Sequence, residues 1–205
     1  MHHILRCAPA LLLCATPTIN IRPAVLSDPV DAEALCCVRK PTEYVSEQGS
    51  TGFMGQKTEL PPEEAFKRRV QARLGSAIRD KATVLIASDA ESAGALEVIG
   101  TVDAIELPAG KGRRALAPDL PRRLLIRNLW VAETRRRQGI ARQLMAAVEA
   151  LAADTGVTYL SLDVVADNTP AVKLYEELGF EDVEPPPMPV PMWMRGALSL
   201  GKSLE

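Results

Sequence analysis

The stretch from Leu124 to Leu178 constrains the fold more than any other part of the chain, because strand-like and helix-like runs alternate along it. In Gln138 to Ala153, the apolar residues Ile140, Leu144, Val148 and Leu151 recur at intervals of four, four and three, so they share one helix face. Leu124 to Val131 before it and Tyr159 to Val165 after it read as strands. Pro170 to Leu178 reads as a further helix, with Gly179 as its C-terminal stop. Strands joined through helices run parallel, so this half predicts part of a parallel sheet.

The first half adds antiparallel pairing. Thr18 to Ala24 alternates apolar and polar residues and predicts a strand that stops at Pro23. Ser27-Asp28-Pro29 looks like a helix start, with Val30, Ala34, Leu35 and Val38 on one face and Pro41 at its end. Pro61-Pro62-Glu63-Glu64 opens a second helix whose Phe66, Val70, Leu74 and Ile78 repeat every four residues. Thr83 to Ala87 and Leu96 to Ile105 flank a polar turn and predict a hairpin. Met192 to Arg195 offers a final strand. The expected order is β-α-α-β-β-β-α-β-α-β: an α/β fold with a mixed central sheet, partly antiparallel and partly parallel, flanked by helices on both faces.

A chain of 205 residues suits one buried domain, expected here from 18 to 205 after an extension at 1–17. That extension reads as a signal peptide, a short organelle presequence or a loose terminus, since no acid precedes Asp28. No apolar run approaches the roughly 20 residues of a membrane span. The four cysteines include the adjacent Cys36 and Cys37, and none has zinc spacing, so no metal is expected. A net charge of −2 and 4% aromatic residues give no general affinity for nucleic acid.

The local exception is basic. Arg135, Arg136 and Arg137 are consecutive, and Arg122, Arg123, Arg127 and Arg142 lie nearby in sequence. The run Arg136-Arg137-Gln138-Gly139-Ile140-Ala141 joins a strand to a helix start, where unpaired backbone N–H groups and a partial positive charge favour a phosphate. Gly139 lets the backbone approach a ligand without a Cβ, and Ala141 keeps the next turn slim. The same residues would also serve as a shaped turn beneath a solvated basic face. Downstream, Asn168 to Phe180 carries Pro170 at a helix start, Thr169 as a cap, and Ala171, Leu174 and Leu178 on one face with Tyr175 beside them. Tyr175 alone is equally a core aromatic.

Together, in this order, the two segments resemble the GNAT superfamily of N-acetyltransferases. The first matches that family's Arg/Gln-x-x-Gly-x-Gly/Ala signature, and the second matches Asn-x-x-Ala-x-x-Leu-Tyr-x-x-Leu-Gly-Phe from Asn168 to Phe180. Ile21-Arg22-Pro23-Ala24 is similar to its first strand. The resemblance implies that acetyl-CoA is co-substrate, its pyrophosphate held by backbone amides from Arg137, Gln138, Gly139, Ile140 and Ala141 and by the Arg136 side chain. It implies that backbone groups of Leu129 and Val131 pair with the pantetheine arm and the acetyl carbonyl, that Asn168 contacts pantetheine, and that Tyr175 is general acid to the departing thiolate.

The base is open. An ammonium must lose a proton before it attacks a thioester. Asp163 stands where family members that acetylate protein N-termini carry a glutamate, with a water relay needed for its shorter side chain. It reads equally as a polar residue on an exposed strand face. Glu133, Asn128 and a base-free route are the alternatives. The implied acceptor is an amine, on a protein or peptide N-terminus, a lysine or a small molecule, and the implied assembly is a monomer or homodimer. The alternatives are a non-catalytic CoA-binding module of the same fold, and an RNA-binding role for the arginine run. Need for acetyl-CoA implies cytosol or an organelle matrix such as a plastid.

Overall fold

A computed structural model describes residues 19–37, 75, 77–89, 97–110, 120–183 and 196–204. The elements are β1 (Ile19–Pro23), α1 (Pro29–Cys37), β2 (Thr83–Asp89), β3 (Val98–Leu107) and β4 (Arg123–Val131). They continue with α2 (Ile140–Thr155), β5 (Tyr159–Val165), α3 (Thr169–Glu177), β6 (Glu181–Asp182) and β7 (Ala197–Ser203). The seven strands form one sheet in the order β1-β2-β3-β4-β5-β7-β6. Only β4 and β5 run parallel; the other neighbours are antiparallel. The mixed sheet expected from the alternation is therefore present, with its parallel step where the α2 crossover demands one.

Alternation along β2 shows how the sheet is covered. Leu85 and Ala87 enter the larger apolar cluster with Ile140, Leu144, Met145, Val148 and Ala152 of α2. Val84 and Ile86 face the other way, into a smaller cluster with Leu35 of α1 and Ala77. Helices thus lie on both faces. Gly100 of β3 allows the close approach of α2: a Cβ there would stand 3.0 Å from both Ile140 Cγ2 and Leu144 Cδ1. Gly100→Val is expected to destabilise the fold by about 1–3 kcal/mol through overpacking, read as a lowered denaturant midpoint.

Several expectations need correction. Val30 is 58% exposed, and Asp31 takes the buried place on α1 because it holds Arg22 of β1. Ile78 is 60% exposed while Ala77, one residue earlier, is buried. The last strand is Ala197–Ser203; the segment Met192 to Arg195 lies outside the described residues. So do Val38, Pro41, Phe66, Val70, Leu74, the hairpin turn at 90–96 and the extension at 1–17. Among the described residues, no helix is long and apolar enough to cross a membrane, and no group of three or more His, Cys, Asp or Glu is placed to hold a metal.

Candidate active site

The site is built where the parallel pair comes apart. Leu124, Leu125 and Ile126 of β4 register with Leu160, Ser161 and Leu162 of β5, and the ladder ends there. Both strands continue, β4 to Val131 and β5 to Val165, so a wedge opens between them toward their C-terminal ends. On its other edge β4 stays paired with β3, but with a register shift: Thr101 faces Trp130 while Asp103 faces Arg127. The extra β4 residue is a bulge, which bends and twists a strand. Asn128 takes it up in the left-handed region, at φ 55°.

A short 3-10 turn at Glu133–Arg135 follows β4, and the chain then reverses into α2 through two left-handed residues that flank Gln138. Arg137 has φ 64° and Gly139, the residue before the helix, φ 79°. No side chain caps this helix start. The Gln143 N–H donates to the Gly139 carbonyl at 3.0 Å, so the amides of Ile140, Ala141 and Arg142 precede the first intrahelical bond. The expected helix start at Gln138 is two residues early because Gly139 spends the turn in a conformation that no helix contains.

The arginine cluster divides sharply. Arg122 is bonded to Glu106 at 2.7 Å and Arg127 to Asp80 at 2.9 Å. Arg135 reaches Asp89 of β2 at 2.8 Å, and Arg142 ties α2 to Glu177 of α3. Arg123 is buried, and that burial lowers its pKa. Arg136 and Arg137 lie exposed beside the uncapped amides, with their side chains outside these carboxylate pairs. The Arg136 Nε donates to the Val131 carbonyl at 3.4 Å, and Gln138 Nε2 to the Thr134 carbonyl at 3.4 Å. Leu129 and Val131 lie on β4 along the wedge, partly buried against the large cluster.

On the far side of the wedge, α3 begins at Thr169 itself, so Asn168 and not Thr169 occupies the cap position. Its exposed side chain makes no capping bond: Pro170 offers no N–H, and the N–H groups of Ala171 and Val172 donate to the Asn168 backbone carbonyl. Gly179, at φ 82°, ends the helix as expected. Tyr175 is 7% exposed, in the large cluster, with its ring edge-on to Phe180 at a centroid distance of 5.7 Å. Burial pushes its phenol up to about 12. Asp163 lies exposed on β5, between the buried Leu162 and Val164, and so on the sheet face opposite Tyr175. Its Oδ1 accepts from the Ser199 hydroxyl of β7 at 2.8 Å.

Glu133 is exposed in the turn past β4. Asn128 is an amide donor to the buried Asp103, at 2.5 Å, and has no role as a base in that position. Asp103 and Ser199 escaped the reading of the sequence. The signal for Asp103 was a lone acid within the apolar run Val98–Ile105; for Ser199 it was its place in a strand interrupted by Gly201.

The family model for the acetyltransferase (GNAT) family matches residues 52–180. The chain belongs to this family. It is therefore an acyltransferase, and the wedge between β4 and β5 lies in the matched region. No curated protein matches the chain. Solved GNAT structures share the fold at low identity. NAA60 from Arabidopsis thaliana in complex with acetyl-CoA is 22% identical, with a TM-score of 0.58 over 91% of this chain and 98% of that one. PaiA N-acetyltransferase from Thermoplasma acidophilum, in complex with coenzyme A, is 16% identical, with a TM-score of 0.59 over 91% and 99%. The NatC complex bound to Gag peptide and CoA gives 17%, 0.57, 91% and 99%.

Proposed function

We propose that this GNAT chain moves the acetyl group of acetyl-CoA to a primary amine of a protein or peptide, at an N-terminus or a lysine. The observation that carries the reading is the uncapped start of α2, with Gly139 left-handed and Arg136 and Arg137 exposed, standing at the mouth of the β4–β5 wedge. Amides 137–141 would hold the pyrophosphate with Arg136, as helix starts hold anions. Leu129, Val131 and Asn168 would line the pantetheine arm. The acetyl carbon would then lie in the wedge, the opening through which groups on both sheet faces can approach one centre.

In that arrangement Asp163, alone or through water, takes a proton from the amine on one face. The amine nitrogen bonds to the acetyl carbon and passes its surplus proton to solvent, the C–S bond breaks, and Tyr175 gives its phenolic proton to the thiolate from the other face and is reprotonated from solvent. The peptide acceptor finds support in NatC, whose structure carries a bound Gag peptide.

Incubation of the protein with acetyl-CoA and a peptide library, followed by thiol detection and mass spectrometry, tests the reaction. Equal amounts of free CoA and acetylated amine are expected. Retained acetyl-CoA with no acetylated peptide, lysine or N-terminus would refute the proposed acceptor class. Arg136→Ala combined with Arg137→Ala is expected to weaken acetyl-CoA binding about 10-fold, by loss of charge-assisted bonds to phosphate, and calorimetric titration checks it.

A further inference from the structure

Asp103 is 1% exposed on β3, although it carries a carboxylate into the interior of the sheet. A buried carboxylate is costly unless hydrogen bonds satisfy it. Its Oδ2 accepts the Asn128 Nδ2 at 2.5 Å. Asn128 is the left-handed residue of β4, at φ 55°, placed where the β3–β4 register shifts. Asparagine enters that region more readily than most side chains but still against a backbone preference, which a bond to a fixed partner offsets. The β4–β5 ladder ends at Ile126, just before this bulge. Arg127, between the two, is itself anchored to Asp80 at 2.9 Å.

We propose that Asp103 and Asn128 form a latch that sets the angle at which β4 leaves β5. The pair is a positioning element: it touches no reacting atom, but it fixes the path of Leu129 to Val131 along one wall of the wedge. This inference rests on the acetyl-CoA reading above, in which the wedge takes the pantetheine arm and the separate loop at 136–141 takes the pyrophosphate. The two ends of the cofactor are therefore held by different structures. Loss of the latch alters the pantetheine wall and leaves the pyrophosphate loop as it was.

That division supplies the test. Affinities of the full chain for acetyl-CoA and for ADP, which presents a pyrophosphate without the pantetheine arm, are measured by calorimetry, with ADP also read by displacement. Asp103→Ala and Asn128→Gly are each expected to weaken acetyl-CoA about 10-fold while ADP affinity stays within about 2-fold, a loss of the order of one hydrogen bond to a charged group. Asp103→Asn, which keeps an acceptor oxygen for Asn128, is expected to restore acetyl-CoA binding. Asn128→Gly accepts the left-handed backbone without strain, so it remains informative if Asp103→Ala fails to fold. Unchanged acetyl-CoA affinity in Asn128→Gly, or equal weakening of both ligands, would overturn the latch. A wild-type chain that binds ADP but not acetyl-CoA would overturn the donor reading, and the latch with it.

Discussion

Tyr175→Phe is expected to lower kcat for acetyl transfer about 100-fold while leaving the Kd for acetyl-CoA nearly unchanged, the low end of the range for loss of a general acid. The ring is packed in the main cluster and edge-on to Phe180, contacts that phenylalanine reproduces, so the fold and the cofactor site are retained. What is lost is one O–H. Burial pushes the phenol up to about 12, so the proton is in place throughout the neutral range. The loss stays at the low end because a thiol of ordinary pKa, ~8.5, leaves without full protonation. Single-turnover kinetics with titrated acetyl-CoA separates the two quantities, and an unchanged kcat would remove Tyr175 as the acid. The raised pKa has a consequence for stability as well. The neutral phenol is the form the fold favours, so its contribution is complete below the ordinary value of 10.0 and is lost as pH rises through about 12. Tyrosinate absorbance should show a late step in the wild type that is missing in Tyr175→Phe.

Asp31→Ala is expected to cost about 3 kcal/mol of stability, the largest effect of a change far from the wedge. The carboxylate is 1% exposed and accepts both ends of the Arg22 guanidinium, at 2.8 and 2.6 Å, and the Val25 N–H at 2.7 Å. It fastens β1 to α1. The Arg22 side chain is 37% exposed and can turn to water when its partner is removed, which keeps the cost below that of a fully buried pair. The hydrogen bonds from Arg22, ahead of the opposing effect of burial, hold the Asp31 carboxyl below its ordinary value of 3.8. Its folded pKa is depressed, so this stability is present above 3.8 and is lost as pH falls through the folded value. Chemical denaturation of wild type and Asp31→Ala at neutral pH and again near pH 3 checks both claims: the gap between them should narrow in acid. Asp31→Asn keeps an acceptor for Val25 and is expected to recover part of the loss. A constant gap would show that the ion pair contributes nothing.

The second half of the fold was legible because its signals are local. The four-residue recurrence in α2, the stop at Gly179 and the apolar runs of β4 and β5 each depend on neighbours in sequence, and the parallel step followed from their order. Long-range choices were not legible. Val30 reads as a buried residue of α1 beside Leu35; Leu35 is buried, but Val30 is exposed and Asp31 is buried instead, held by Arg22 on a distant strand. The arginines read as one basic cluster facing phosphate or solvent, but five of its members are turned to carboxylates or buried, and no local rule assigns those partners. The bulge at Asn128 has a signal only once β3 is laid against β4. Within the candidate site, the turn at Gly139 into α2 and the place of Tyr175 on α3 were readable from motif and spacing. The exposed face of Asp163 followed from strand alternation, whereas its bond to Ser199 required the last strand to lie at Ala197–Ser203, beyond where the sequence places one.

Calorimetric titration of the purified chain with acetyl-CoA is decisive, since one cofactor seated between the α2 start and the β4–β5 wedge accounts for both. The predicted result is saturable one-to-one binding that weakens in Arg136→Ala/Arg137→Ala. An absence of binding heat or of displacement at millimolar acetyl-CoA, with the protein shown to be folded, would contradict it.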